Sequence, residues 1–225
     1  MSSAQVAKEI DLAAIRGHDE KMKELIQQYG SSAEYKLCFD EALCHAAYHS
    51  HEQVVAMLLA LPTIDLKHAS DVLFGYTALT RACISSRPEK VKIVKLLLTH
   101  PDCDLHHKSE HGITPLFAAC YSGQVEILHL LLQDPRLDYE KAVLGKKMSP
   151  VFETVQKGHT TILKYLIAYA SEGSRLELST DDSKYSELWE RLVEGQEHDD
   201  CVAILREFYH DPRSTIAKYR AELGL

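Results

Sequence analysis

Five stretches of this 225-residue chain follow one plan, and a chain written that way has few folds open to it. LAAIRGHDEKMKELI (12–26), LCHAAYHSHEQVVAMLL (43–59), LTRACISSRPEKVKIVKLLL (79–98), LFAACYSGQVEILHLLL (116–132) and VFETVQKGHTTILKYLI (151–167) each pass from a small pair through a polar turn into an apolar segment. With the first small residue as marker, Ala13, Ala46, Ala82, Ala119 and Thr154 fall in register, at spacings of 33, 36, 37 and 35. A period in that range marks modules that stack in a row.

Each module reads as two antiparallel helices. Thr114 before Pro115, and Ser149 before Pro150, set a capping hydroxyl ahead of a proline whose missing N–H is harmless in a first helical turn. Gly17, Gly123 and Gly158 fall where the first helix must end in a left-handed residue and reverse. In the second helix Val125, Ile127, Leu128, Leu130, Leu131 and Leu132 recur at helical spacing, with matching sets at 54–59 and 91–97. Proline then stops the helix in LPTIDL (61–66), HPDCDL (100–105) and DPRLDY (134–139), and an extended finger is expected after each. One pair buries too little apolar surface to offset its chain entropy, so each pair has to cover the next. The expectation is one elongated array over residues 1–170, its first repeat a degenerate N-terminal cap.

These residues resemble the ankyrin repeat, with its GxTPLHxAA start, its GH turn and its V-x-x-LL second helix. GITPLFAACYSGQVEILHLLL (112–132) carries the likeness most fully, and GYTALTRAC (75–83) and GHTTILKYLI (158–167) carry it in part. The resemblance implies an all-α ankyrin-repeat solenoid of helix-turn-helix units with a C-terminal capping helix. Two departures stand out. The third repeat is three residues longer between its helices, with Pro88 in the insertion, so that turn should protrude. The second has Glu41-Ala42 where the family has Thr-Pro, so its first helix should be less firmly capped.

Residues 171–187, SEGSRLELSTDDSKYSE, are polar and acidic and read as a lengthened finger or linker. Residues 188–225 return to helix, turn, helix as a degenerate sixth repeat, with His198 and Ile204-Leu205 echoing the others. Asp211-Pro212 then starts a last helix whose Ile216, Tyr219 and Leu223 form an apolar stripe that caps the stack. This closing segment is similar to that of a group of ankyrin-repeat proteins from single-celled eukaryotes.

The 33 acidic and 25 basic side chains give a net charge of −8, which speaks against a bare polyanion-binding role and so against nucleic acid. No run of some 18 apolar residues crosses a bilayer, and the N-terminus lacks a basic start with an apolar block. Six cysteines without a CxxC pair fit a reducing, cytoplasmic setting.

By analogy with the family, the residue before the small pair and the two after it line the concave face. Here these are His45, Tyr48 and His49; Arg81, Ile84 and Ser85; Ala118, Tyr121 and Ser122; Glu153, Gln156 and Lys157. Tyr and Arg are common interface anchors, so Tyr48, Arg81 and Tyr121 are expected to hold a protein or peptide ligand. His45 and His49, four apart, share a helix face, but structural zinc normally takes four ligands. Neither that pair with Cys44 and His51 nor Cys103 with His106 and His107 supplies them, so no metal is expected. Cys83 and Cys120 occupy small-residue packing sites, and there is no GxSxG elbow, phosphate loop or HExxH. The reading is a non-catalytic protein-binding scaffold without cofactor, monomeric by default. The other reading is a targeting or regulatory subunit that recruits an enzyme or host protein through the acidic end.

Overall fold

The computed structural model describes residues 2–70, 74–84, 87, 89–143, 149–170 and 199–225. They form two compact units, Met1–Pro115 and Leu116–Leu225. Among the described residues there is no β-strand; one antiparallel bridge joins Ser70 to Tyr76.

Unit 1 holds α1 (Ser3–Arg16), α2 (Asp19–Tyr29), α3 (Lys36–His49), α4 (Glu52–Leu59), α5 (Ala78–Cys83) and α6 (Lys90–Thr99). First helices pack on first helices, α1 on α3 and α3 on α5, while second helices pack on second, α2 on α4 and α4 on α6. The small pairs make the first layer possible. Ala13, Ala14, Ala46, Ala47, Ala82 and Cys83 are all buried, and none carries a side chain that would hold the next helix away. The second layer is built from the apolar faces, with Val54, Val55, Leu58, Ile93, Val94 and Leu97 at the centre.

The turns between paired helices reverse through left-handed residues, Gly17 at φ 67°, Gly123 at 71° and Gly158 at 70°. Successive turns also lean on one another. The His51 ring lies over Gly17, where an added Cβ would come within 2.3 Å of its Nδ1, and its Nε2 lies 2.9 Å from the Ile15 carbonyl. His159 lies over Gly123 in the same way, 2.9 Å from such a Cβ. Glycine is required at both places by conformation and by contact.

Unit 2 holds α7 (Pro115–Tyr121), α8 (Val125–Gln133), α9 (Tyr139–Val143), α10 (Pro150–Gln156), α11 (Thr160–Tyr169), α12 (Asp199–His210) and α13 (Pro212–Leu223). Ser149 caps α10 by accepting from the Phe152 N–H, and Asp211 caps α13 by accepting from the Ser214 N–H, each with proline at the first helical position. α11 packs against α8, α10, α12 and α13. Ile216 and Tyr219 are buried while Leu223 is half-buried, and the α13 Arg220 Nε donates to the Ala168 carbonyl at 2.7 Å, covering the end of α11.

One expectation is corrected and another is borne out. The segment after α8 is not wholly extended: residues 139–143 form α9, and the Tyr139 hydroxyl donates to the Leu166 carbonyl, anchoring that helix on α11. The first helix of the second repeat is less firmly capped, as expected: α3 runs back past the Thr-Pro position to Lys36, with Tyr35 giving no side-chain cap. With no proline and no capping hydroxyl at 41–42, nothing stops the helix propagating toward its N-terminus. Asp40 and Glu41 then take another task. Asp40 accepts from the Asp65 N–H at 2.8 Å, and the two Glu41 oxygens engage His68 and Ser70, so α3 holds its own finger in place. The lengthened turn of the third repeat, with Pro88, and residues 171–187 and 188–198, including His198, lie outside the described residues.

Candidate functional site

Tyr48 leaves α3 at its last turn and is 40 % exposed. The guanidinium of Arg81, from α5, sits 4.2 Å from the centre of its ring, and the Lys90 Nζ, from the start of α6, lies 5.3 Å from it. Lys90 is fully buried, and its amine donates to the Ala47 and Tyr48 carbonyls, which the end of α3 leaves without helical partners. Burial pushes the Lys90 pKa down to about 8, with Arg87 and Arg81 adding to the effect. His49 is also held below its usual pKa, first by burial and then by His51, His45, Lys90 and Arg81. The surroundings of Tyr48 are therefore cationic.

Unit 2 repeats the arrangement. Tyr121, two residues after its marker alanine as Tyr48 is, is 48 % exposed. Lys157, from the following repeat, stands 4.7 Å from its ring centre, and Phe117 stacks with the ring at 6.3 Å. Gln156 is exposed, Ser122 and Glu153 are half-buried, and burial raises the Glu153 pKa.

Not every family-implied position is open. Ala118 is buried, Arg81 is only 9 % exposed, and Ile84 is half-buried. Ser85 lies outside the described residues. His45 turns toward carboxylates, its Nε2 3.5 Å from both Asp11 and Glu41. Among the described residues no group of three or more His, Cys, Asp or Glu is placed to hold a metal ion. His51 is occupied by the Ile15 carbonyl and His107 by that of Gly75 at 2.9 Å. Cys44 and Cys120 are buried, with pKa values pushed up to about 12 by burial, which keeps them as thiols.

A cavity of about 460 Å³ in unit 1 has Ala7, Leu37 and Cys38 as its apolar wall and Asp11, Glu41, His68 and Lys8 around it. Leu37 is 63 % exposed at its edge. Burial pushes Glu41 up, but hydrogen bonds from Ser70 and His68 outweigh that and leave its pKa low, so it is a carboxylate. The small-pair alignment pointed past Lys90, Asp11, Glu41, His68 and Leu37. Of these, only Glu41 left a trace in the sequence, four residues before His45 on one helix.

The comparisons with known proteins agree with this geometry. A family model described as ankyrin repeats in three copies matches residues 10–109, 63–142 and 89–180. The chain is 31 % identical over 150 residues to the SMC5-SMC6 complex localization factor protein 1 of Bos taurus, covering 61 % of this chain and 14 % of that protein. It is 37 % identical over 98 residues to the Homo sapiens protein of the same name, covering 43 % of this chain and 9 % of that one. The chain thus spans a small part of the length of these relatives. Among the described residues no helix is long and apolar enough to cross a membrane. Stacked repeats of this kind present an extended surface for protein contact. On the period, the paired helices, the glycine turns and the matched residues together, this chain belongs to the ankyrin-repeat family.

Proposed function

We propose that this chain is a non-catalytic module that binds a protein partner through the faces carrying Tyr48 with Arg81 and Tyr121 with Lys157, flanked by His45, His49, Ile84, Ser85, Ser122, Glu153 and Gln156. One observation carries the reading: at the same place in two repeats an exposed tyrosine is held by a cation from the following repeat. A ring fixed in that way offers large contact area at little ordering cost. The division into five repeats over 1–170, an acidic segment at 171–187 and a closing piece at 188–225 belongs to the same proposal. So does a reducing, cytoplasmic setting, which six cysteines held as thiols support.

Affinity capture with the immobilised chain tests the proposal. Proteins retained by the wild type should be lost when Tyr48 and Tyr121 are both replaced by alanine; an unchanged retained set would remove these faces from recognition.

A targeting role is the second reading, favoured by the printed name of the relatives, which describes localization of a complex. Its contact would be the acidic segment. Deleting everything from residue 171 would also strip α12 and α13 from α11, so the cleaner test neutralises Glu172, Glu177, Asp181 and Asp182 to their amides. Loss of retained proteins with the tyrosines intact would favour targeting through that segment.

A further inference from the structure

Arg81 is a buried cation without an acceptor. It is 9 % exposed, and its Nε is sealed from solvent with no hydrogen-bond partner. Among the described residues no carboxylate pairs with its guanidinium. Glu41, whose field reaches it, has both oxygens engaged by His68 and Ser70. The face of the Tyr48 ring, 4.2 Å away, offers attraction but no acceptor for a group with five N–H donors. An unpaired buried charge is costly to the fold, and one beside an exposed ring is placed to be completed from outside.

The surroundings select the sign and shape of what completes it. Arg81 and Lys90 make the ground around Tyr48 positive within a chain of net charge −8. The Lys90 amine is already turned to the carbonyls of α3, so Arg81 acts alone. A single, mostly covered guanidinium edge matches the two coplanar oxygens of a carboxylate, whereas a tetrahedral phosphate calls for donors on several sides.

We propose that Tyr48 and Arg81 form an anion subsite that receives a glutamate or aspartate side chain from an acidic segment of the partner protein, the guanidinium donating to its oxygens and the aliphatic stem lying on the tyrosine ring. The proposal rests on the protein-binding reading of this face and adds the chemistry of what binds there.

The test is a titration of the full chain followed by NMR of its arginine side-chain N–H groups, with Arg81→Gln identifying the Arg81 resonance. The probes are acetyl-Gly-Glu-Gly-Glu-Gly-amide, its lysine counterpart, and inorganic phosphate, all at one ionic strength. The glutamate peptide should move the Arg81 resonance saturably, and Tyr48→Leu should weaken that response about threefold or more. No saturable movement, or an equal response to the lysine peptide or to phosphate, overturns the proposal. Thermal unfolding is the second readout. Arg81→Met should unfold at the same temperature as wild type or higher, because no native hydrogen bond is lost, and a fall of several degrees would show Arg81 to be structurally satisfied. If the peptide response is absent while the tyrosine variants still lose a captured partner, the face stands and the subsite falls; if capture fails but the peptide binds, the reverse holds.

Discussion

Ser50 occupies the left-handed position, φ 69°, that glycine fills in three other turns between paired helices. That conformation brings Cβ too close to the carbonyl oxygen and costs roughly 1–2 kcal/mol. Ser50→Gly should therefore stabilise the chain by about 0.5–1 kcal/mol in urea unfolding, since glycine loses some of the gain through its freer unfolded state. Gly123→Ala should do the opposite by about 1–3 kcal/mol, through φ and through the His159 ring. If both changes are neutral, the turn stacking has no energetic weight. Lys90 supplies the next prediction. Its folded pKa is about 8 against 10.5 for a free lysine, so between these values the unfolded chain binds the extra proton and stability rises with pH. In Lys90→Met that contribution is gone. Compared over this range, the stability difference should move toward wild type as pH increases; a constant difference would mean that the amine is not desolvated.

At the scale of the element, helix starts divide into two kinds. α10 and α13 begin with a capping side chain and a proline, which fixes their first residue. α3 has neither, and extends back to Lys36. Ala42→Pro would bring the repeat closer to its family pattern, yet residue 42 is here a buried position in the middle of α3. Proline would remove a helical hydrogen bond and clash with the carbonyl four residues earlier, at a cost of about 3 kcal/mol or more. Circular dichroism during urea unfolding measures it, and an unchanged or raised stability would show that the helix can begin at 42. Helix ends are closed by neighbours: Lys90 reaches the end of α3, while Tyr139 and Arg220 reach that of α11. α3 is thus finished by a residue later in the chain, and α11 by one earlier and one later.

Over the whole molecule the six cysteines form no disulfide with one another, and Cys38 alone is not buried. Burial pushes Cys44 and Cys120 up to about 12 and Cys201 to about 11, while an unfolded thiol ionises near 9. Above that value the folded state holds protons that the unfolded state has lost, so these thiols make stability fall as pH rises from 9, opposite in sign to Lys90. The urea midpoint should drop less between about pH 7.5 and pH 10 when Cys44, Cys120 and Cys201 are all alanine; an equal drop would show that the thiols are not the cause. Ala13, Ala46, Ala82 and Ala119 announced the stacked helix pairs because close approach admits only small side chains, and the glycine turns announced themselves because only glycine takes that conformation freely. Such local requirements were written in the sequence alone. That Lys90 lies buried on the end of α3, that Arg81 lacks an acceptor and that Glu41 grips a finger depend on residues 27 to 43 positions apart meeting in space, a matter that only packing decides.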